Sequence, residues 1–296
     1  MDYTCYYNIA EHHIKITFRD ELGADNEKFI ASFQPFKTRE RVGDLLFHLS
    51  VESGLQPIEQ HTEHIRDFDT GNGNTDVYLL EGGGYQYQIK DINGQECCLL
   101  QTNKAFTTCK CRLYGDYNTR RYGLNNAIMI AYAFSSAYQK TVMIHASLIR
   151  HDDKGYAFTA KSGTGKSTHT SLWMKHIKGA DLMNDDNPVI RIIDGKTYIY
   201  GTPWSGKTPC YRNIKATLGA IVRIDRALEN SVDKLKPVEA FASLLPSCSY
   251  MKWDEEISHA ICNTVTEIIE KNNIFTLHCL PDQNAAEICH ATITKG

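Results

Sequence analysis

Residues 155–186 read GYAFTAKSGTGKSTHTSLWMKHIKGADLMNDD. Residues 156–159 are a short apolar run of strand type. The turn Ala160-Lys161-Ser162-Gly163-Thr164-Gly165-Lys166-Ser167 follows and leads without a break into a helical pattern over residues 168–177, stopped by Gly179. Strand, glycine-rich turn and helix in this order are the setting that a phosphate-binding loop requires. Glycines let the backbone aim its N–H groups inward at phosphate oxygens, and the start of the helix adds positive dipole at the same point. In such a loop Lys166 reaches the terminal phosphates and the Ser167 hydroxyl a magnesium ion. Ser162, Gly163, Thr164, Gly165, Lys166, Ser167 and Thr168 are therefore the candidate nucleotide-binding residues. The usual pattern opens on glycine where this chain has Ala160, a residue that does not hold a positive φ cheaply.

The second half of the stretch adds carboxylates. Residues 180–183 read as a strand, and Asn184-Asp185-Asp186 follow it. With both strands in one parallel sheet and the helix as crossover, the turn and the acidic pair leave at the same carboxyl edge, where open α/β sheets bind ligands. One carboxylate beside a phosphate loop can help Ser167 hold Mg²⁺, and the other can take the proton of an attacking hydroxyl. The residue order leaves open which of Asp185 and Asp186 does which.

SGTGKST followed so closely by NDD resembles the P-loop kinases of the HPr kinase/phosphorylase and phosphoenolpyruvate carboxykinase type. Ile144-His145-Ala146-Ser147 is similar to the histidine-bearing strand that those families place just before the loop strand. Tyr200-Gly201-Thr202-Pro203-Trp204-Ser205-Gly206-Lys207 resembles a segment of short bacterial members. The resemblance spans residues 145–224. It implies that His145 lies near the metal and the phosphates, and that serine, in a protein or as a small molecule, is the kind of acceptor.

The remaining chain divides by pattern. Its 296 residues, 42% hydrophobic and 23% charged, suit two globular domains or one with a large appendage. A formal net charge of -3 supplies no basic field, so nucleic acid is not an expected partner. The start, MDYTCYYNIAEHH, has neither a cationic region nor an apolar core, and the apolar run at 127–134 is too short to span a bilayer. A cytoplasmic protein without membrane contact is expected, with its ten cysteines reduced. Cys97-Cys98 and Cys109-x-Cys111 have metal-like spacing, but adjacent strand residues face opposite ways, which favours buried thiols over zinc.

Residues 1–120 read as a β-rich domain. Residues 12–18 alternate with period two, and turn signals at 71–74, 82–84 and 93–94 mark a meander of hairpins. No catalytic constellation stands out there; His12, His13, His61 and His64 read as surface or strand residues. Residues 114–123 resemble a linker, and 125–139 a buried helix. Residues 141–149 read as one strand carrying His145. After the acidic pair, 189–193 and 197–200 flank Asp194-Gly195 as a hairpin. It returns Trp204, Ser205, Gly206 and Lys207 toward the edge carrying Asp185, where Lys207 can neutralise phosphoryl charge or bind an anionic substrate and Trp204 can offer an aromatic face. Arg212 is a second substrate candidate. A strand at 218–224, helices at 237–245 and 254–270, a strand at 274–280 and a last helix from Asp282 complete an α/β layer structure.

The expected fold is thus an α/β kinase core of the HPr kinase/carboxykinase type over 121–296, preceded by the β-rich domain over 1–120. The expected activity is ATP- and Mg²⁺-dependent phosphoryl transfer to a hydroxyl of an acceptor not named by the sequence. Lys166, Asp185, Asp186, His145 and Lys207 are the candidate catalytic residues, and Ser167, Asp185 and Asp186 the metal set. Two other readings compete: a slow NTPase switch whose β domain contacts a partner, and a carboxykinase, disfavoured because its substrate arginines and metal-binding lysine have no clear counterpart. Self-association is open.

Overall fold

The computed structural model describes residues 2–19, 23–40, 43–69, 73–161 and 163–295, with only the backbone of 61, 62 and 66–69. The chain forms two compact units, Met1–Ser136 and Ala137–Gly296. Among the described residues no helix is long and apolar enough to cross a membrane.

In the first unit, strands β1 (Tyr3–Ile9) and β2 (His12–Phe18) form a hairpin, and a 3-10 stretch, Gly23–Phe36, leads to β3 (Lys37–Thr38). Strands β4 (Leu45–Val51), β5 (His61–Asp69), β6 (Asn74–Leu80), β7 (Tyr85–Lys90), β8 (Glu96–Thr102) and β9 (Thr108–Leu113) follow. They form one sheet in the order β3-β1-β2-β4-β9-β8-β7-β6-β5. The alternation in residues 12–18 does its expected work, since Ile14, Ile16 and Phe18 are all buried. The meander from β5 to β9 is antiparallel, with turns at 82–84 and 93–94; of the turn signal at 71–74, Gly71 and Asn72 lie outside the described residues. The sheet is nevertheless mixed, because β4 pairs parallel with both β2 and β9. Glu27 on the 3-10 stretch ties the sheet edge together, accepting from the Tyr3 and Tyr7 hydroxyls, the Cys5 thiol and Lys37 Nζ.

Helix α1 (Tyr117–Ser135) differs most from the sequence reading. The expected linker at 114–123 supplies its first turns, because Asp116 caps it by accepting from Thr119 N at 2.9 Å. The helix packs on β8, β9, β4 and β7, so it belongs to the first unit rather than to the second. Tyr132 is buried there, its hydroxyl 3.0 Å from His12 Nδ1.

The second unit runs β10 (Thr141–Met143), β11 (Ala146–His151), β12 (Lys154–Thr159), α2 (Lys166–His176), β13 (Asp181–Asp186), β14 (Val189–Ile193), β15 (Lys196–Tyr200), β16 (Lys215–Arg226) and β17 (Ser231–Lys234). It ends with α3 (Pro237–Leu244), α4 (Glu255–Lys271), β18 (Ile274–Cys279) and α5 (Gln283–Ile293). The single strand expected over 141–149 is two strands. β10 pairs with β14, the strand is interrupted at Ile144 and His145, and β11 pairs with β12 and β13. The sheet order is β10-β14-β15-β16-β12-β11-β13, with β18 alongside β16 and β17 on β18. The turn between β14 and β15 holds both Asp194 (φ 48°) and Gly195 (φ 76°) left-handed, as a tight hairpin turn requires.

The helices are specified locally. Asp254 caps α4 and Asp282 caps α5, each accepting from the third residue on at 2.9 Å. On α4, Ile257, Ile261, Val265 and Ile268 recur on one buried face. Helices α2 and α5 pack together on one face of the sheet, burying Trp173 and Ile177 with Ala285, Ala286, Cys289 and Ile293 over Tyr156, Phe158, Val222 and Leu277.

All ten cysteines are free. Burial pushes the Cys97 thiol up to about 11 and the Cys248 thiol up to about 12, so both are protonated at neutral pH and neither is a nucleophile.

Candidate functional site

The site grows out of strand directions. β11 runs antiparallel to both β12 and β13, so β12 and β13 run the same way with β11 between them. The carboxyl ends of β12 and β13 and the amino end of β11 therefore share one edge. The register makes this concrete, since Ala146 pairs with Thr159 on one side and with Asp186 on the other. The glycine-rich turn follows Thr159, the acidic pair ends β13, and His145 precedes Ala146. Three segments distant in sequence meet in one row.

Within the turn, Gly163 (φ 75°) and Gly165 (φ 124°) hold left-handed backbone, and a Cβ on either would meet nothing within 4 Å. The glycines here serve conformation and leave open space. Ala160 is not among the residues with positive φ, so alanine in place of the usual glycine costs no strain. Gly165 is the N-cap of α2 and among the described residues no side chain caps the helix, while Ser167 and Thr168 are exposed on its first turn. Ser162 lies outside the described residues.

Lys166 Nζ stands 2.8 Å from His145 Nε2 and 3.3 Å from the Ala160 carbonyl oxygen. His145 Nδ1 is 2.9 Å from Asp186 Oδ1. An ammonium can only donate, so His145 accepts at Nε2 and carries its proton on Nδ1, aimed at Asp186. Burial draws the Lys166 ammonium below the usual lysine value; the carboxylates of Asp186 and Asp185 oppose that effect.

The two carboxylates differ. Asp185 pairs with Ser147, whose hydroxyl is 3.3 Å from that of Thr170, so Asp185 shares the sheet face covered by α2. The residue is 5% exposed, and its Oδ2 accepts from Thr208 N at 3.2 Å. The Asp186 side chain is 31% exposed and holds an unusual φ of 139°. It accepts from Asn187 Nδ2 at 2.7 Å. Backbone strain of this kind concentrates at functional sites.

The segment 201–210 does return to this edge, but not as the sequence suggested. Asn184, fully buried, donates toward the carbonyls of Thr202 (3.3 Å), Trp204 (3.1 Å) and Cys210 (3.4 Å) and thereby shapes the loop. Gly201 is required by close approach, since a Cβ would lie 2.2 Å from Arg212 O. Trp204 is 6% exposed, so its ring is core and offers no aromatic face to a ligand. The Ser205 hydroxyl is 3.0 Å from Asp185 O and 2.6 Å from Thr208 O, and Gly206 N donates to Asp185 O. Lys207 is exposed on the same loop. Arg212 is elsewhere: it bonds Asp181 Oδ2 at 2.6 Å at the opposite end of β13. Burial alone would raise the Asp181 carboxyl, but the bonds from Arg150 and Arg212 hold it below the usual carboxylate range. That arginine is committed to structure.

Arg226 had no signal in the sequence. It ends β16, which runs parallel to β12, and its guanidinium donates to Thr164 O at 3.1 Å and Gly163 O at 2.6 Å. A long-range strand pairing places it, and no motif could have announced it. Among the described residues no group of three or more His, Cys, Asp or Glu side chains could hold a metal on its own.

Beneath the site, His169 on α2 accepts from Trp173 Nε1 at 3.0 Å, and its Nδ1 has no partner. Burial lowers its pKa from 6.5 to about 4. The unfolded chain therefore takes up this proton first as pH falls. The stability held at neutral pH is lost between about 6.5 and 4, on the order of 3 kcal/mol for this residue. Urea midpoints at pH 7 and pH 4.5 are expected to diverge less in His169→Gln than in the wild type.

No family model and no curated protein matches this chain. Among solved structures it is similar to the Hpr(Ser) kinase/phosphatase from Coxiella burnetii, with 11% sequence identity and a TM-score of 0.31. The match covers 52% of this chain and 94% of that one. At that distance the functional reading rests on the site residues themselves.

Proposed function

We propose that this protein is an ATP- and Mg²⁺-dependent phosphotransferase acting on a hydroxyl group, with serine, in a protein or as a small molecule, as the acceptor class. The observation that carries the reading is the row Lys166–His145–Asp186 beside an open, glycine-rich helix start. The loop amides and the α2 dipole favour an anion in that space. Mg²⁺ keeps several waters and shares the phosphate oxygens, so it needs only one or two protein carboxylates; Asp185 and the exposed Ser167 hydroxyl would hold it. The metal would neutralise charge on the transferred phosphoryl group.

Asp186 is the better placed base. It is the more exposed of the pair and is oriented by His145. In the reaction the acceptor oxygen forms a bond to the γ-phosphorus while the bond from that phosphorus to the β–γ bridging oxygen breaks. The acceptor proton passes to Asp186, and the electron pair leaves with ADP. Lys166, and Lys207 from the facing loop, stabilise the charge that shifts.

Purified protein with γ-labelled ATP, Mg²⁺ and a panel of free hydroxy amino acids and proteins tests the reading: label must appear on an acceptor. Release of inorganic phosphate alone would instead identify a hydrolytic switch, and oxaloacetate turnover a carboxykinase. Asp186→Asn is expected to lower transfer by about 10²–10⁴-fold with Mg²⁺-ATP binding retained. Asp185→Asn is expected to remove the Mg²⁺ dependence of ATP binding. The opposite pattern would exchange the two roles.

A further inference from the structure

The edge that carries the site continues beyond the loop. β16 and β18 run parallel to β12, so their carboxyl ends emerge on the same edge, on the flank away from His145 and Asp186. Two turns leave there, at 227–230 and 280–282. They are braced to each other: Ala227 N donates to Cys279 O at 3.1 Å, Leu280 N to Asn230 Oδ1 at 2.8 Å, and Asn230 Nδ2 to Asp282 Oδ1 at 3.0 Å. Arg226 ties the first turn to the loop through the carbonyls of Gly163 and Thr164. From this polar framework two apolar side chains project, Leu228 at 91% exposure and Leu280 at 39%.

We propose that Leu228 and Leu280 form a platform for the base of the nucleotide, an inference that rests on the phosphotransferase reading. Transfer occurs where Lys166, His145 and Asp186 meet, so the terminal phosphate lies on that flank and the nucleoside leaves over the other. From His145 at β11 to the end of β18 is three inter-strand steps, about 14 Å. That span is comparable with the reach of a nucleoside triphosphate from terminal phosphate to base. A base presents a flat, weakly polar face, which apolar contact suits and charge does not. Single exposed leucines are ordinary on protein surfaces. Here the two turns that carry them are braced to one another and to the loop, so the backbone at both positions is fixed relative to the loop.

Isothermal titration of the full chain with Mg²⁺-ATP, with Mg²⁺-ribose 5-triphosphate and with Mg²⁺-tripolyphosphate separates base, ribose and phosphate contacts. In the double variant Leu228→Ser/Leu280→Ser, ATP affinity is expected to fall about tenfold, the equivalent of one lost apolar contact, with ribose 5-triphosphate and tripolyphosphate affinities unchanged. Val238→Ser, at a site 83% exposed on α3, is expected to change none of the three. Unchanged ATP affinity in the double variant would overturn the platform. So would a loss shared equally by ribose 5-triphosphate, or one shared by all three ligands, which would make the turns braces of the loop only. Wild-type protein that binds ATP and ribose 5-triphosphate equally would overturn the platform and leave the phosphate site standing. Wild-type protein that binds none of the three would overturn both.

Discussion

Lys166→Met is expected to lower phosphoryl transfer by about 10³-fold, with the fold intact. Methionine keeps the length and apolar stem of lysine and removes the charge. The lost ammonium is half-buried, and it bridges His145 Nε2 and the Ala160 carbonyl. Arg226 does not replace it, because it bonds loop carbonyls rather than standing over the Lys166–His145–Asp186 row, and Lys207 lies exposed on the separate 201–210 segment. The measurement is single-turnover transfer from labelled ATP, alongside thermal melting to confirm folding. Transfer retained within tenfold would remove the mechanism. The same ammonium sets a pH limit. Its pKa lies below the usual lysine value of 10.5, so the alkaline limb of kcat/KM, which reports the free enzyme, is expected below that value.

Trp173→Ala is expected to destabilise the second unit by about 3–5 kcal/mol, the range for truncating a large buried aromatic. Trp173 is fully buried on α2, with ring centroids 5.5 Å from Tyr156, 5.4 Å from Phe158 and 5.4 Å from His290. Its indole also donates to His169, so truncation leaves a second buried nitrogen without a partner. Trp173→Phe keeps one aromatic ring in place and loses the N–H and the volume of the second ring, and an intermediate loss is expected. Urea unfolding followed by fluorescence reads this directly, because the three tryptophans, Trp173, Trp204 and Trp253, all lie in the second unit. A loss below about 1 kcal/mol would show that α2 is not anchored through this ring. The helix that begins at Lys166 is the one Trp173 holds, so weaker nucleotide binding is expected to accompany the loss.

Local signals were legible and long-range ones were not. The glycine-rich turn, α2, the Asp194-Gly195 hairpin and helices α4 and α5 each follow from turn chemistry and periodicity within a dozen residues, whereas the strand expected over 180–183 runs on through Asp186, so that Asn184, Asp185 and Asp186 lie in β13 rather than after it. The left-handed backbone at Gly163 and Gly165 was legible too, since positive φ is a property of single residues. Helix α1 was misread at its start because Asn118, Thr119 and Gly123 resemble loop composition, while the informative residue was the cap, Asp116. The strand over 141–149 was misread because its two halves pair with different partners, which no window of sequence reports. Trp204 and Arg212 carry side chains suited to ligands, yet one fills the core and the other neutralises Asp181. Which fate a loop tryptophan meets depends on where strand pairing delivers it. The parallel pairing of β4 with β2 and β9, and the position of Arg226, are hidden for the same reason.

The strand wedged between β12 and β13 has a consequence for biogenesis. Loop and carboxylates cannot come together by closing one local β-α-β unit. The β11–β12 hairpin closes locally, so the longer closure is the pairing of β13 with the far side of β11, with the loss of chain freedom that this step entails. A nascent chain that has emerged as far as Asp186 already holds every member of the Lys166–His145–Asp186 row, yet Arg226 and the strands flanking β12 on its other side are still to come. The row is thereby complete in the chain before the segments that brace the glycine-rich loop from its other side have been made.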